Sequence, residues 1–476
     1  MQENNLLNKI SLFFIIIPFL ILCISCSPKK EAFCKDCNII LIDIDSLRVD
    51  HLGCYGYDKN TSPNIDKLAE KSFVFENFFI ESSHTTLSKM SVYTSLYPYK
   101  HKVRPIIESG FRELDHTILT LPQILSQTGY TTVWVGPMAS MSLSFGFGFD
   151  RGFDYFIEGG YYDHYDWNDG IDWIKENKEK KFFISFYSEI THDPYSPNNY
   201  TLAKFTNRTD VEIIDIVYIL KEGRERVINK PNLVFNESFI NENNEIFMNK
   251  SKLNASLDAL CYNLSIQHYR CSDLYRNIFW DRFNPENASD IEALNALYDA
   301  VIYEADQNIK GLIKVLEDEQ LFDKTIIIFY SDHGDEFWEH NGTNHGDHLY
   351  DEVIHVPLII YIPEIENKEV NELAQGVDIM PTILDLIGVK VPAQSKGKSL
   401  LPVILKETSV RYFALSQTVF GTYSLRSMNW KYITNFEGIE ELYNLKEDPY
   451  EKNNLANEKS NVKLLMKDKL NEYLIS

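Results

Sequence analysis

The sequence predicts an α/β fold: a doubly wound mixed sheet sandwiched by helices, followed by a small C-terminal antiparallel subdomain. Apolar, β-branched runs alternate with helical patterns, and they begin at Asn38, Thr131, Phe182, Thr325 and Pro357. Continuous apolar strands of this kind are typical of a sheet that is covered on both faces. After about Lys406 the pattern changes to short strands with polar positions, which predicts the separate subdomain.

The N-terminus has the pattern of an export signal. Residues 10–25 are apolar and shorter than the roughly 20 residues of a membrane-spanning helix, which is the alternative interpretation. Ser25 before Cys26 resembles a bacterial lipobox. We therefore expect residues 1–25 to be a signal peptide, residues 26–37 to be a tether lipidated on Cys26, and the protein to be an extracytoplasmic, membrane-anchored lipoprotein of the periplasm or cell surface.

Export makes disulfides possible, and five cysteines remain after Cys26. Cys34 and Cys37 form a CxxC, for which we expect a local disulfide or free thiols rather than a redox or zinc site. Cys261 and Cys271 could close a short loop. The sequence leaves these pairings open.

Residues 38–405 are predicted to form the catalytic domain. Ser62 as N-cap and Pro63 at the first helical position predict the first helix, and the apolar spacing from Leu294 to Leu316 predicts a longer one. Both lie between predicted strands, as a doubly wound sheet requires.

Two segments depart from this alternation. Residues 205–276 are rich in Asn, Lys and Glu and lack a core strand, so they are predicted to be an insertion, either a solvated excursion or a wall of the site. Residues 406–476 are predicted to form a small α+β subdomain whose last helix begins at about Asn461.

Charge excludes one class of partner. The chain of 476 residues has a formal net charge of −23, a field that repels nucleic acid and anionic lipid. We therefore expect no nucleic-acid partner. An anionic substrate would need local compensation by a metal ion or by a few cationic side chains.

Polar side chains stand at predicted strand ends, where open α/β sheets place their ligands. Asp45 ends the first strand, and Asp332 and His333 follow the strand that begins at Thr325. Carboxylates with one imidazole suit a divalent cation. For Asp45 alone a cap is an equally good interpretation, and Asp43 is expected to be a hydrogen-bonding neighbour.

Three more histidines crowd the loop after Asp332, namely His340, His345 and His348. So dense a cluster after an apolar strand indicates a metal or anion site. His340 and His348 are expected to be neighbours of that site.

Thr85 precedes a predicted helix. The start of a helix presents free backbone donors and the positive end of the helix dipole, which favour an anionic nucleophile or a bound oxyanion. From the residues alone, Thr85 or Thr86 would be an N-cap.

Several segments together resemble the sulfatase family of the alkaline phosphatase superfamily, in order and over nearly the whole mature chain. They are NIILIDIDSLRVDHLGCYGY from Asn38, THDPYSP from Thr191, FYSDHGDEFWEHNG from Phe329 and ELYNLKEDPYEKNNLA from Glu441. Each motif is weak, but their ordered concurrence is specific.

The resemblance implies one divalent metal ion, which is calcium, magnesium or manganese, with zinc possible. Its ligands would be Asp45, Thr85, Asp332 and His333. Ser188 stands where two-metal relatives carry a further aspartate, which favours a single ion.

The resemblance also implies the reacting groups. Thr85 takes the position of the family's modified cysteine, with Thr86 as the alternative nucleophile, and Lys89 takes the position of an arginine. His192 corresponds to a substrate-contacting histidine, and His345 corresponds to a lysine or histidine near the leaving oxygen.

Two departures bear on the substrate. Ser46 stands where many sulfatases have a second aspartate, and Pro137 stands where they place a sulfate-binding lysine. Both put sulfate specificity in question without removing the minimal nucleophile and metal set.

The resemblance therefore implies a metal-dependent hydrolase of sulfate or phosphate esters that acts through a covalent Thr85 intermediate. Sulfatases use a cysteine or serine oxidised to an aldehyde, and threonine cannot form one, so a phosphoester, and a diester in particular, is favoured over sulfate. The expected substrate is a small-molecule, glycan or lipid-head-group ester. The alternatives are a phosphoethanolamine or phosphoglycerol transferase of the cell envelope and a non-catalytic glycan-binding pseudoenzyme.

Overall fold

The computed structural model describes residues 32–104, 112–137, 147–158, 167–206, 276, 279–406 and 408–475. The predicted signal peptide, the start of the tether, Cys26, Cys261, Cys271 and most of the predicted insertion lie outside the described residues. Within the described ranges, no helix is long and apolar enough to cross a membrane.

The centre of the molecule is an eight-stranded mixed sheet. Its strands are β1 (Asn38–Ile44), β2 (Phe73–Phe75), β3 (Thr131–Gly136), β4 (Tyr155–Glu158), β5 (Phe182–Ser188), β6 (Thr325–Tyr330), β7 (Leu358–Tyr361) and β8 (Glu369–Val370), in the order β8-β2-β7-β6-β1-β5-β3-β4. The five strands from β6 to β4 run parallel, and β7 is antiparallel to both of its neighbours.

Helices cover both faces of this sheet. They are α1 (Pro63–Ala69), α2 (Thr85–Thr94), α3 (Leu121–Gln127), α4 (Asn168–Glu176), α5 (Ala288–Asp318), α6 (Ile379–Leu386) and α7 (Leu401–Lys406), with short turns at Pro98–His101, Asn199–Leu202 and Asp351–Ile354.

Strand β1 contributes to two hydrophobic cores because successive side chains point to opposite faces. Ile40 and Ile42 pack with α1, α4 and α5, whereas Ile39 and Leu41 pack with α2, α3 and α6. All four side chains are fully buried. The prediction of a mixed sheet sandwiched by helices is confirmed.

A second, four-stranded antiparallel sheet follows, as predicted. Its strands are β9 (Ala414–Gln417), β10 (Tyr423–Arg426), β11 (Trp430–Thr434) and β12 (Glu440–Asn444), in sequence order. The last helix, α8 (Ser460–Ile475), packs Met466 and Leu470 against it, in a core that includes Tyr432 and Leu442.

Local details differ from the predictions at two helix starts. Ser62 is the N-cap residue of α1 and Pro63 begins the helix, as predicted, but the Ser62 hydroxyl donates to Asp66 Oδ1 at 2.9 Å and makes no capping bond to the backbone. Helix α2 begins at Thr85 itself, so neither Thr85 nor Thr86 is its N-cap. Near the first strand, Cys34 and Cys37 form a disulfide, one of the two outcomes expected for this CxxC.

The sheet order positions the site. Strands β5, β1 and β6 are parallel neighbours, so their C-terminal ends meet at one edge. The Asp45 amide donates to Ser188 O at 2.9 Å, and the Leu47 amide donates to Ser331 Oγ at 2.9 Å. These bonds tie the loop after β1 to the end of β5 and to the loop after β6.

Candidate active site

Four predicted side chains converge at this edge. Thr85 Oγ1 lies 3.0 Å from His333 Nε2, which lies 3.5 Å from Asp45 Oδ1 and 3.9 Å from Asp332 Oδ1. All four side chains are buried. Strand ends supply Asp45, Asp332 and His333, and the first residue of α2 supplies Thr85, so rigid elements fix the cluster.

Neighbouring groups orient these side chains. His333 Nδ1 lies 3.1 Å from Gly334 O, which fits a proton on Nδ1 and leaves the Nε2 lone pair facing the cluster. Burial, only partly offset by Asp45, lowers the pKa of His333 to about 4, so the ring is neutral. The hydroxyls of Tyr187 and Ser46 both donate to Asp45.

The donor set fits a divalent cation. Ligand atoms of Asp45, Asp332 and His333 lie within 4.8 Å of one another, and buried Asp332 Oδ2 has no hydrogen-bond partner among the described residues. Burial and the charge of Asp45 raise the pKa of Asp332 well above its ordinary value. A cation beside these oxygens would remove the repulsion between the carboxylates. Three oxygens and one imidazole nitrogen suit manganese, magnesium or calcium.

Lys89 lies in the second turn of α2 and is fully buried. Its ammonium group binds Asp43 and lies 3.6 Å from Asp332 Oδ2 and 3.3 Å from the centre of the Tyr187 ring. Tyr330 also donates to Asp43, at 2.8 Å. Asp43 is thus a hydrogen-bonding neighbour, as expected, and these contacts favour charge balance for Lys89 over direct substrate contact.

His84 is a site residue that sequence analysis missed. It is the N-cap of α2, and its Nδ1 accepts from the Thr86 amide at 3.3 Å. Burial and the nearby His333 lower the pKa of His84 to about 3, so the neutral ring carries its proton on Nε2 and can donate there. An N-cap histidine gives no strong signal in a sequence, because serine, threonine, aspartate and asparagine dominate that position.

His192 and His345 each form a pair with an aspartate. His192 Nδ1 lies 3.0 Å from Asp193 Oδ1, and His345 Nδ1 lies 2.6 Å from Asp335 Oδ1. The His345 ring lies 4.0 Å from the His333 ring and 5.0 Å from the His192 ring, centre to centre. The structure thus brings both predicted histidines to the cluster.

The two histidines differ in charge. Burial disfavours a charged His192 ring, but the hydrogen bond and charge of Asp193 outweigh it and raise the pKa to about 8. Burial together with the neighbouring His333 holds the pKa of His345 well below its ordinary value. At neutral pH, His192 is therefore a cation and His345 is neutral.

Arg276 is a second residue that the sequence did not reveal. Its Nε lies 3.2 Å from Asp193 Oδ1, and its NH2 group lies 3.3 Å from His192 Nε2. Arg276 is the last residue of the predicted insertion and lies 84 positions after His192 in the sequence. No sequence pattern predicts a contact between residues so far apart.

His340 and His348, in the loop after β6, each pair with a glutamate. His340 Nδ1 lies 2.5 Å from Glu352 Oε1, and His348 Nδ1 lies 2.6 Å from Glu336 Oε2. These pairs hold the loop after β6 in shape.

Comparison with known proteins gives the family. Residues 37–389 match the sulfatase family, and residues 340–475 match the C-terminal region of N-sulphoglucosamine sulphohydrolase. An N-acetylglucosamine-6-O-sulfatase of Bacteroides thetaiotaomicron is 24% identical over 90% of this chain and 84% of its own.

Two solved structures share the fold. One is a protein in complex with its substrate D-glucosamine-2-N,6-O-disulfate, with a TM-score of 0.66 at 22% identity over 92% of this chain and 97% of the other. The second is a phosphonate monoester hydrolase of Agrobacterium radiobacter, with a TM-score of 0.64 at 18% identity over 92% and 95% of the two chains. The family match covers most of the chain and includes every element that supplies the cluster, so this protein belongs to the sulfatase family and is a hydrolase of sulfuric or phosphoric esters.

Proposed function

We propose that this protein hydrolyses phosphate esters, diesters ahead of sulfate esters, through a covalent phosphoryl intermediate on Thr85 that keeps the second ester group of a diester. The observation that carries the proposal is the position of Thr85 Oγ1, 3.0 Å from His333 Nε2 in a cluster with two buried carboxylates. Thr86 is the alternative nucleophile, and its amide donates to His84 Nδ1 at 3.3 Å.

Asp45, Thr85, Asp332 and His333 are the residues that would hold the metal ion. A divalent cation at this place supplies charge stabilisation for the attacking oxygen and for the phosphoryl oxygens. The chain's own contribution is orientation: Gly334 O fixes the tautomer of His333, and Tyr187 and Ser46 fix Asp45.

In the first half of the reaction, Thr85 Oγ1 forms a bond to phosphorus and the bond from phosphorus to the leaving oxygen breaks. The Thr85 hydroxyl loses one proton and the leaving oxygen gains one, so no net acid or base is consumed. His192 is suited to donate the latter proton, because its ring is cationic at neutral pH.

In the second half, the oxygen of a water molecule bonds to phosphorus and the bond to Thr85 Oγ1 breaks. Water returns one proton to Thr85, and the released phosphomonoester keeps the hydroxyl. An alcohol in place of water would give transfer, which is the alternative activity.

Thr85 is unsuited to the sulfatase reaction of the oxidised-residue type. Its hydroxyl is secondary, so oxidation gives a ketone and not an aldehyde. The unoxidised alcohol has no second hydroxyl to expel sulfate from a sulfo-enzyme. We therefore expect sulfate esters to leave a trapped sulfothreonine.

The substrate is proposed to be an ester on a glycan outside the cytoplasm, with the enzyme anchored through a lipid on Cys26. Relatives named for glucosamine and hexuronate sulfates support a sugar substrate. The lipobox-like Ser25–Cys26 supports the anchor.

The test is a rapid-quench experiment with an aryl phosphodiester and its sulfate analogue, after chelation and return of one metal at a time. We expect a burst, a phosphoryl group that still carries its second ester group on Thr85 in the peptide map, and a loss of at least about 10³-fold in Thr85→Ala. Thr85→Ser keeps a hydroxyl and is the matched control. Full activity in Thr85→Ala, or sustained sulfate turnover above diester turnover, would refute the proposal, and product formed only with an added alcohol would assign a transferase.

A further inference from the structure

We propose that Arg276 binds the anionic ester group of the substrate together with His192, and so supplies the cation that this chain lacks at Pro137. The inference rests on the proposed function in that it assigns the substrate-binding group of the same site. It also gives the end of the predicted insertion a role in the site.

Arg276 lies next to His192 at the site. Its guanidinium group reaches His192 Nε2 at 3.3 Å, on the ring edge opposite the Asp193 contact. The His192 ring lies beside that of His345, which lies beside His333 in the cluster. The side chains of Arg276 and His192 are 28% and 14% exposed, so a ligand can reach both from solvent.

The charges around Asp193 leave a surplus of positive charge. Among the described residues, Asp193 Oδ1 lies 3.0 Å from His192 Nδ1 and 3.2 Å from Arg276 Nε, and Asp193 Oδ2 accepts from Trp280 Nε1 at 2.6 Å. Two of these donors are cationic at neutral pH and share one carboxylate. Within this group one positive charge is left over, which suits a bound anion.

The donors of His192 and Arg276 face each other. A cationic imidazole has a proton on both nitrogens, so His192 Nε2 and the Arg276 NH2 group face each other as two donors 3.3 Å apart. An ester oxygen placed beside them can accept from both. Guanidinium suits such an oxygen because its donors form a planar fork of fixed geometry.

Pro137 lies at the strand end next to the one that carries His192. Pro137 directly follows β3, β3 pairs with β5, and the loop after β5 carries His192 and Asp193. The resemblance placed a sulfate-binding lysine at Pro137. Arg276 brings a cation to the neighbouring strand end from a different part of the chain.

The test measures binding of inorganic phosphate to the full-length protein by calorimetry, alongside diester turnover. Arg276→Gln is expected to weaken phosphate binding by about 10- to 100-fold, as for the loss of one charged hydrogen bond. Arg276→Lys keeps the charge but loses the fork, and we expect an intermediate loss. Arg112→Gln makes the same charge change at an exposed residue and should bind phosphate like the wild type.

A double variant separates direct binding from support of His192. If Arg276 contacts the anion itself, Arg276→Gln weakens phosphate binding further in a His192→Asn background. Phosphate binding unchanged by Arg276→Gln, or an effect that disappears in that background, would overturn the inference. Absence of a covalent phosphoryl group on Thr85 would refute the proposed function alone, because the calorimetric measurement of phosphate binding does not need turnover.

Discussion

At the end of β5, the His192 ring is held between Asp193 and Arg276, with its Nδ1 3.0 Å from Asp193 Oδ1. Despite burial, Asp193 raises the pKa of His192 to about 8. The ring therefore carries its acidic proton up to about pH 8 and loses it above. A role as proton donor thus sets an upper pH limit on activity.

We expect turnover of a diester with a poor leaving group by the wild type to fall above about pH 8. His192→Gln should lower this turnover by about 10²- to 10⁴-fold at pH 7, and turnover by the variant should no longer fall above about pH 8. The measurement is kcat/KM against pH. A 4-nitrophenyl diester, whose leaving group needs no proton, is the control: its kcat should change little, whereas its KM rises with the loss of His192 as a donor to the bound anion. An identical pH profile in wild type and variant would contradict proton donation by His192.

At this scale, the sequence was informative where a functional side chain directly follows a strand or begins a helix. Asp45, Asp332, His333 and Thr85 occupy such positions and meet in the structure. Arg276 was not predicted, because its approach to His192 depends on how the chain returns after a long excursion. The partners Asp193 and Asp335 were missed because an aspartate in a polar loop has no distinguishing pattern.

Among the elements, the long apolar strands were the most predictable, since NIILIDI, TTVWVG and TIIIFY coincide with β1, β3 and β6. Caps were less predictable, because Ser62 can bond to Asp66 or to the backbone with little difference in sequence. The sequence also did not predict that Glu81, in the segment that leads into α2, has a fully buried carboxyl group.

Glu81 makes stability depend on pH. Its Oε1 accepts from the Val377 amide at 2.9 Å, and burial raises its pKa to about 8. The folded state therefore keeps a proton that the unfolded state releases above its ordinary pKa of about 4.5, so the contribution of Glu81 to stability falls as pH rises from about 4.5 to about 8.

Glu81→Gln keeps an acceptor for Val377 and removes this titration. We expect the free energy of unfolding of the variant, relative to wild type, to increase with pH over this window by at most about 1.4 kcal/mol per pH unit. Urea denaturation at pH 5.5, 6.5 and 7.5 measures it, with the exposed Glu437→Gln as control. A difference that stays constant with pH would contradict the assignment.

For the molecule as a whole, a buried ionic cluster joins the C-terminal sheet to the loop after β6. Lys431 on β11 lies 2.9 Å from Asp351 Oδ1 and 2.8 Å from Glu451 Oε1 and is fully buried. Glu451 also accepts from the Asp351 amide at 2.7 Å, and its carbonyl lies 3.0 Å from His340 Nε2. Sequence analysis predicted the subdomain but not this link, because its partners are 80 and 100 positions apart.

Lys431→Met should lower the free energy of unfolding by about 3–5 kcal/mol, because it leaves the buried carboxylate of Glu451 without its cation and leaves the partly buried Asp351 with Arg426 alone among the described residues. Lys467→Met removes a half-exposed lysine from Glu440 on the same subdomain and should cost at most about 1 kcal/mol. Equilibrium denaturation of both variants gives the comparison. Equal, small losses would mean that the cluster does not fasten the subdomain to the loop.

The first residue of α2 has a consequence for how the activity is inherited. A sulfatase of the oxidised-residue type can act only after its cysteine or serine has been oxidised. On the proposed mechanism, the codon for Thr85 specifies the nucleophile directly. The nucleophile is then present as soon as the chain has folded, and the site needs only its metal ion.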